Sequence, residues 1–381
     1  MTVGIVKSNL KEINTKLPEL LELIKYKPKK KKIFIKPNVV DAINAKSGVI
    51  VLPQLVDALI NYLITKYNIS TKDIVVGEGT GFFNDEKNFK RLVKESGYNK
   101  LEKKYGIELE NLQNTERVTK KWKYGEIKLP KYLDTHEYIN IPVMKTHSQA
   151  TVTLAMKNQK GLLLLKDKQN FHRTNIYGNL HDSIFELSKV AIPDLIITSA
   201  IFALEGTGPT LNPQSKTVNL DLILAGTDIL EVDNVNCEIM GFDVDKIKHI
   251  PKVDFSTIGV PLDEVKTKFS EPEPFLKVQN IYVNQTEAVC TLCSMSISRM
   301  FRKIFFVEDL RKKFEELNKV YDRIDLILGS DFEQLPEHAN AGQVFCIGAC
   351  AVKLAKQKDV PFVKDCPPNH NDIIQLILTH L

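Results

Sequence analysis

The sequence lacks several features that identify common functional classes. It has a single tryptophan in 381 residues, so it offers no aromatic platform for stacked nucleobases. Neither a Gly-x-x-x-x-Gly-Lys-Ser/Thr loop nor a Gly-x-Gly-x-x-Gly turn occurs, so ATP and NAD sites are not implied. No window reaches the roughly 18–20 apolar residues of a membrane span, and the N-terminus MTVGIVKSNLKEIN has no signal-peptide core. We therefore predict a cytoplasmic protein with no membrane partner.

The composition is that of an ordinary globular protein, with 43% hydrophobic and 26% charged residues. The net charge of +5 is a mild excess, and it is concentrated in 25-KYKPKKKKIFIKPN-38. A lysine run of this kind contacts nucleic acid or anionic lipid in some proteins. We interpret it here as a solvated loop before a strand, and a nucleic-acid partner is not expected.

Strand-like and helix-like segments alternate along the chain, which predicts an α/β fold with a mainly parallel sheet and flanking helices. We expect an α/β core domain at 1–250, an irregular connector at 251–285 and a small C-terminal α/β cysteine domain at 286–381. The predicted strands of the core domain are VGIVK (3–7), KIFIK (32–36), DIVVGE (73–78), YINIPVM (138–144), DLIITSA (194–200) and LDLILAG (220–226).

Polar residues follow five of these strands, and ligands of parallel sheets bind at the carboxyl ends of the strands. Lysines there would bind phosphate or carboxylate as point charges, and carboxylates would move protons or hold a divalent metal ion. The alternative is ordinary turn chemistry and solvation of strand ends. We predict catalytic roles for Lys145, His147, Glu78 and Glu205, and substrate-binding roles for Lys36, Asn38, Lys157, Asn158, Gly206, Gly208, Asp228 and Asp233.

The segment 144-MKTHSQATVTLAMKNQKG-161 places lysines on both sides of the apolar run TVTLAM. We interpret that run as a helix, which would separate Lys145 from Lys157 by about 18 Å at 1.5 Å per residue. Lys145 and His147 are therefore the preferred site residues. A lone histidine such as His172 or His181 is more typical of a hydrogen-bonded surface residue.

Five of the six cysteines fall in the last quarter of the chain. Such clustering in a cytosolic protein favours a metal or redox site over disulfides. Four thiolates suit an iron–sulfur cluster or structural zinc. One Cys-x-x-Cys with two isolated cysteines favours the cluster, and zinc remains the alternative. The predicted ligands are Cys290, Cys293, Cys350 and Cys366, whereas Cys237 and Cys346 are predicted to be core residues.

Several motifs in order resemble the domain-of-unknown-function 362 family over about residues 30–245. They are KPN (36–38), EGTG (78–81), INIPVMKTH (139–147), LAMKNQKGLL (154–163), DLIITSAIFALEGTGP (194–209) and LILAGTDILEVDNVNCEIMG (222–241). The resemblance implies a bacterial or archaeal protein associated with iron–sulfur domains. It also implies that Cys290, Cys293, Cys350 and Cys366 ligate a 4Fe-4S cluster. The chain lacks the two full cysteine runs that many members carry, so a second cluster is not expected.

Two functions follow from these patterns. The first is a redox enzyme in which the cluster exchanges electrons with a small anionic substrate and a ferredoxin-like carrier. The second is a non-redox enzyme, or an anion- or metal-binding protein, in which the cysteine site is structural. The sequence names no substrate.

Overall fold

The computed structural model describes residues 2–80, 85–172, 174–273, 277–285, 289–337, 339 and 341–381. The strands within these ranges are β1 (Thr2–Lys7), β2 (Ile33–Pro37), β3 (Ile74–Glu78), β4 (Leu109–Asn111), β5 (Arg117–Trp122), β6 (Gly125–Pro130), β7 (Glu137–Ile141), β8 (Val143–His147), β9 (Thr151–Thr153), β10 (Leu195–Gly206), β11 (Ser215–Gly226), β12 (Ser256–Gly259), β13 (Lys277–Val278), β14 (Ile281–Gln285), β15 (Ile324–Leu328), β16 (Val344–Ile347) and β17 (Phe362–Val363).

The α-helices alternate with the strands along most of the chain, as the sequence pattern predicts. They are α1 (Ile13–Leu23), α2 (Pro53–Tyr67), α3 (Glu86–Ser96), α4 (Asn99–Tyr105), α5 (Tyr132–Thr135), α6 (Ala155–Asn158), α7 (Leu165–Asn170), α8 (Thr174–Tyr177), α9 (Leu180–Ser188), α10 (Ile229–Met240), α11 (Thr291–Phe306), α12 (Glu308–Val320), α13 (Val352–Lys358) and α14 (His370–His380). No helix that the structure describes is long and apolar enough to cross a membrane.

Ten of the described strands form one large sheet in the order β12-β1-β11-β10-β7-β2-β3-β4, with β8 on β10 and β9 on β8. Strands β10, β7, β2, β3 and β4 pair in parallel, whereas β11 runs antiparallel to both β10 and β1. The predicted α/β class with a mainly parallel sheet is therefore confirmed.

The large sheet is buried on both faces. Every residue of β2 and β7 is buried, and neighbouring side chains of a strand point to opposite faces. Ile35 accordingly packs in the core under α1 and α2, whereas Phe34 packs in the core that contains α6, α9 and α10. With both faces covered by helices, the exposed parts of the sheet are its edges and the ends of its strands.

A second sheet has the order β13-β14-β15-β16-β17, and only the β13–β14 pair is antiparallel. Helices α11 and α14 pack on it through Phe301 and Ile377. Residues 251–285, expected to be an irregular connector, contain β12 of the large sheet and β13 and β14 of the second one. Helix α12, which the sequence analysis does not predict, has Phe314 as its one buried residue, and most of its surface faces solvent.

Candidate functional site

The carboxyl ends of β2, β3 and β8 bring the predicted polar residues together. Lys36 lies near the end of β2 and Asn38 just beyond it, while Glu78 ends β3 and Lys145 lies on β8. All four side chains are almost fully buried. Charged groups are rarely buried without partners, so each contact in this cluster has to be identified. Gly81, the last residue of the EGTG motif that begins at Glu78, lies outside the described residues.

The TVTLAM segment is not a helix, and this prediction was wrong. Its first three residues form β9, which pairs antiparallel with β8 so that Thr153 lies opposite Lys145. The short helix α6 begins only at Ala155. Because the hairpin reverses the chain, Lys157 returns to the pocket that Lys145 lines, and the separation expected for one continuous helix does not arise.

Asn158 is the centre of a buried hydrogen-bond network. Its Oδ1 accepts from the Lys36 ammonium and from Asn38 Nδ2, both at 2.9 Å, and its Nδ2 donates to Asn140 Oδ1 at 2.7 Å. Glu78 completes the cluster, since its Oε2 accepts from Lys36 at 3.1 Å and from the Val39 amide at 3.0 Å. The network fixes the floor of the site, because each member restrains the rotamer of the next.

A cavity of about 100 Å³ lies over this floor, and lysines supply most of its charge. The carboxylate of Glu78 is the only acidic side chain among the described lining residues, against the ammonium groups of Lys145, Lys157, Lys160 and Lys168. The cavity is smaller than the roughly 300–1,000 Å³ of sites for drug-sized ligands. Its size and charge match a small anion.

Three of these lysines donate to fixed acceptors, and the fourth does not. Lys145 donates to the Val49 carbonyl at 2.6 Å, Lys160 lies 3.0 Å from His172 Nε2, and Lys168 donates to the Gly79 carbonyl. Lys157 is 8% exposed, and among the described residues it has neither a hydrogen-bond acceptor nor an ion-pair partner. An anion in the cavity would supply the missing partner.

Burial lowers the pKa of every lysine in the cavity. The pKa of Lys145 falls to about 7, that of Lys168 to about 7 and that of Lys160 to about 8. The pKa of Lys157 falls well below its usual range, first through burial and then through the charges of Lys160 and Lys145. A bound anion opposes both effects, so it would raise these pKa values.

His147 is completely buried on β8. Its Nδ1 lies 3.1 Å from the amide nitrogen of Gln149 and 3.3 Å from that of Ala150, and both amides donate to it. The proton of the neutral ring is therefore on Nε2, which has no partner among the described residues. Burial lowers the pKa of His147 well below its usual range, and neighbouring lysines lower it further.

Asp233 and Asp228 accept hydrogen bonds from the amides at helix N-termini, and neither lines the described cavity. Asp233 is buried on α10 and accepts from the amides of Ala155 and Met156 at 2.8 and 2.9 Å, so it fixes the start of α6. Asp228 accepts from the amides of Leu230 and Glu231 at the start of α10. Asp233 therefore positions Lys157 and Asn158 from behind.

Glu205, Gly206 and Gly208 also lie outside the described cavity lining. Glu205 accepts from the Ser270 amide at 2.9 Å, and Gly206 donates to the Ser270 carbonyl. A Cβ atom on Gly208 would lie 2.2 Å from the Thr146 carbonyl, so this glycine allows close packing against β8. The structure thus does not join Glu205 or Asp228 to Glu78 in one carboxylate site.

The cysteines predicted as ligands lie around the start of α11. Cys290 precedes its first residue, and its Sγ is 3.9 Å from Cys293 Sγ. A Cβ atom on Gly348 would lie 3.5 Å from Cys293 Sγ and 3.8 Å from the Asp365 carbonyl. The loops that carry Cys350 and Cys366 therefore approach Cys293. In agreement, both thiols contribute to raising the pKa of Cys293, after the larger effects of Cys290 and burial.

The four thiols fit an iron–sulfur cluster or zinc by donor type. Within the described ranges, however, no three His, Cys, Asp or Glu side chains are grouped so that they could hold a metal ion. The ligand set of Cys290, Cys293, Cys350 and Cys366 stays a prediction. Cys237 and Cys346 are fully buried among apolar side chains.

The cysteine loops and the lysine cavity adjoin each other. Cys290 lines the cavity. The hydrogen bond between Cys290 and Cys293 is the main cause that lowers the pKa of Cys290 to about 6, and the charge of Lys160 contributes to the same shift. Gln169 on α7 donates to Cys366 Sγ at 3.4 Å. The sequence reading treated the two places as separate sites, so their juxtaposition is a finding of the structure.

The sequence reading also missed three residues of this cavity. Lys160 lies three residues after Lys157, a spacing that puts both on one face of a helical segment, and this signal was available. Lys168 lies in a polar stretch that carries no such signal. His172, interpreted as a surface residue, is 3% exposed and contacts Lys160, which corrects that interpretation.

The fold and the cavity define a mixed α/β protein with a lysine-rich pocket that Cys290 also lines. The model of the "Domain of unknown function (DUF362)" family matches residues 33–238, which is more than half of the chain. The chain belongs to this family.

Among proteins with curated descriptions, the chain is similar to the thylakoid-associated protein sll1697 of Synechocystis sp. They are 28% identical over 158 residues, which cover 40% of this chain and 47% of that protein. The chain thus spans about half of the relative's length. No solved structure matches the chain.

Proposed function

We propose that the protein is an iron–sulfur redox enzyme that acts on a small anionic substrate in the lysine cavity. The observation that carries the proposal is that Cys290 lines the same cavity as Lys145, Lys157 and Lys160. A substrate held by the lysines would lie beside a predicted cluster ligand. A cytoplasmic location and a ferredoxin-like electron carrier belong to the same proposal, although the relative from Synechocystis is described as thylakoid-associated.

The anion is recognised by charge that the protein leaves uncompensated. Glu78 is already engaged by Lys36 and by the Val39 amide. Its charge raises the pKa of Lys145 and Lys168, but the larger effect of burial lowers both, so one carboxylate only partly compensates the cavity lysines. Lys157 supplies the ion pair, and Lys145, Lys160 and Lys168 add positive potential in a site of low dielectric constant. A carboxylate or phosphate of small size meets these requirements.

The protein's own groups have separate tasks in this proposal. Asp233 and Asn158 hold α6, so that Lys157 points into the cavity. The amides of α11 favour an anionic Cys290 at its N-terminus. A bound iron–sulfur cluster would supply electron transfer. His147, which the described cavity lining does not include, is predicted to offer its Nε2–H as a hydrogen-bond donor, because its Nδ1 is occupied by two backbone amides.

The first experiment tests the cluster. Protein purified without oxygen should be brown, with about four irons per chain and a visible spectrum that dithionite bleaches. A Cys290→Ser or Cys366→Ser variant should lose iron, whereas Cys346→Ser, at a buried apolar position, should retain it. Colourless protein loaded with zinc would refute the iron–sulfur part of the proposal.

The second experiment tests the anion site independently of iron. Calorimetric titration with small carboxylates and inorganic phosphate should show binding that Lys157→Gln weakens by about tenfold or more. Lys166→Gln provides the matched control, because Lys166 is exposed on α7. Binding near pH 8 should take up protons, since the anion raises lysine pKa values that burial has lowered. Equal affinity in both variants would refute the site.

One observation favours a second candidate, a non-redox anion-binding protein with structural zinc. The separation of 3.9 Å between Cys290 Sγ and Cys293 Sγ is close to the roughly 3.8 Å expected for two thiolates on a tetrahedral zinc ion. In that case the anion would still bind to the lysines. The metal content of the purified protein decides between the two candidates.

A further inference from the structure

A second cleft, with arginines instead of lysines, lies where α3 faces the C-terminal part of the chain. Its volume is about 410 Å³, within the roughly 300–1,000 Å³ typical of small-molecule sites. We call it the arginine cleft. Its main lining residues are Arg91 on α3, Arg299, Arg302, Lys303 and Phe306 on α11, and His370 on α14.

The carboxylates of the arginine cleft do not balance its cations. Asp41 is buried and lies 2.7 Å from an Arg299 nitrogen and 3.2 Å from one of Arg302, so a single carboxylate faces two guanidinium groups. Arg91 lies 4.0 Å from Glu95, which is the other acidic residue of the lining. Among the described lining residues, three arginines and one lysine thus face two carboxylates, which gives a positive excess in a concave site, where the field is focused.

His370 lines the same cleft as these cations. Burial lowers its pKa first, and the charges of Arg299, Lys303, Arg302 and Arg91 lower it further. The four cations come from two helices, α3 and α11, which are far apart in sequence. Their convergence is therefore a property of the folded chain and not of a local lysine or arginine run.

An exposed aromatic ring completes the arginine cleft. Phe306 lines it and is 84% exposed, and the adjoining Val307 is 40% exposed. An apolar ring that remains in water beside a cationic cleft is available to pack against an apolar or aromatic part of a ligand. Anion recognition and ring contact thus occur side by side.

We propose that the arginine cleft binds a small organic phosphate whose phosphate contacts the cations and whose planar group packs on Phe306. Guanidinium groups match the oxygens of phosphate in a bidentate fashion, and planar bases stack on aromatic side chains. This site is distinct from the lysine cavity, with which it shares no described lining residue. The proposal does not depend on the proposed redox function.

The ligand would also connect two parts of the chain. Arg91 and Asp41 belong to the part that carries the large sheet, whereas α11 and α14 pack on the second sheet. Helix α11 begins beside Cys290 and ends at Phe306. Occupation of the cleft would therefore restrain the helix that positions the Cys290 thiol.

The test uses calorimetric titration with AMP, adenosine and inorganic phosphate, both of the full-length protein and of its Lys157→Gln variant, in which phosphate binding to the lysine cavity should be weakened. AMP should bind at least about tenfold more tightly than phosphate, and adenosine should not bind. Arg91→Gln and Lys303→Gln should each weaken AMP binding by about tenfold, because each removes a charge without touching Asp41. Phe306→Ser should weaken AMP but leave phosphate unchanged. The control Lys157→Gln, in the lysine cavity, should leave AMP binding unchanged.

Arg91 and Phe306 are exposed and Lys303 is partly so, so these variants should fold, which circular dichroism melting will verify. Absence of AMP binding at millimolar concentration would overturn the proposal. So would AMP binding that Lys157→Gln abolishes and the three cleft variants leave intact, or a cleft that binds only an acidic protein. The visible spectrum of each variant is recorded in parallel, so that loss of the cluster is distinguished from loss of the phosphate site.

Discussion

The ammonium group of Lys36 and the carboxylate of Glu78 form a fully buried ion pair, with 3.1 Å between Nζ and Oε2. Burial lowers the pKa of Lys36, and the neighbouring Glu78 opposes that shift. Asn158 Oδ1 accepts a further hydrogen bond from the same ammonium at 2.9 Å. The pair lies under the lysine cavity and joins β2 to β3. The shape of the cavity floor therefore depends on this ion pair.

Removal of one partner of this pair should be more harmful than removal of both. Glu78→Gln leaves a buried ammonium without its counter-ion, and such losses typically cost about 3–5 kcal/mol. The double variant Lys36→Met/Glu78→Gln should recover part of this loss. Urea unfolding of the wild type, both single variants and the double variant gives the coupling free energy. Strictly additive effects would show that the two groups do not depend on each other.

Gly161 packs against the Lys36–Glu78 ion pair, so a substitution there also tests the cavity floor. A Cβ atom there would lie 2.0 Å from Glu78 Oε1 and 2.4 Å from Lys36 Cε, both fixed by the ion pair. Gly161→Ala should therefore lower the free energy of unfolding by about 1–3 kcal/mol and weaken anion binding in the cavity. Gly106→Ala is the comparison, because a Cβ atom there meets nothing within 4 Å and only the positive φ is unfavourable. Unchanged anion affinity in Gly161→Ala would contradict the prediction.

The fold class could be predicted from the sequence because apolar runs such as those of β2 and β3 end in polar turns and alternate with amphipathic helices. The strand ends also indicated Lys36, Glu78 and Lys145 correctly as neighbours. The course of residues 151–158 could not be predicted in this way. Thr151 has φ +62°, and the hairpin it belongs to is stabilised by pairing with β8 and by Asp233, which is 78 residues away from Ala155.

The juxtaposition of the lysine cavity and the cysteines could not be predicted from the sequence either. It depends on contacts between distant segments, such as Gln169 with Cys366 and Asp41 with Arg299. Periodicity reports which face of an element is buried, but it does not report which other element covers that face. Lys168 and His172 therefore carried no signal, although both line the cavity.

Asp233 should make the stability of the protein depend on pH between about 4 and 7. Burial raises its pKa to about 7, against which the amides of Met156 and Ala155 act only in part. A carboxyl group with a raised folded-state pKa stabilises the fold when protonated, and this contribution is lost as the pH rises from the unfolded-state value of about 3.9 towards 7. The free energy of unfolding of the wild type should therefore decrease over this window, and Asp233→Asn should abolish this decrease.

The measurement is the urea midpoint of the wild type and of Asp233→Asn at intervals between pH 4 and 8. The difference between the two curves isolates Asp233 from other groups that titrate in the same range. Asp228→Asn serves as the control, because Asp228 caps α10 at a partly exposed position. Parallel curves for wild type and Asp233→Asn would show that Asp233 does not titrate in this window.

His147 should remain neutral at physiological pH, with its proton on Nε2. Two backbone amides donate to Nδ1, at 3.1 and 3.3 Å, which fixes the tautomer. Burial and the charges of Lys157, Lys160 and Lys145 all lower the pKa of His147. Protonation of the ring would add a further positive charge to a site already rich in lysines.

Nitrogen-15 chemical shifts of the His147 imidazole should therefore report a neutral ring with Nε2 protonated throughout the range from pH 6 to 8. The exposed His380, recorded in the same spectra, provides the comparison ring. Titration of His147 within the same range, or a shift pattern with the proton on Nδ1, would show that the ring is not held as the structure describes and that Nε2–H is not available as a hydrogen-bond donor.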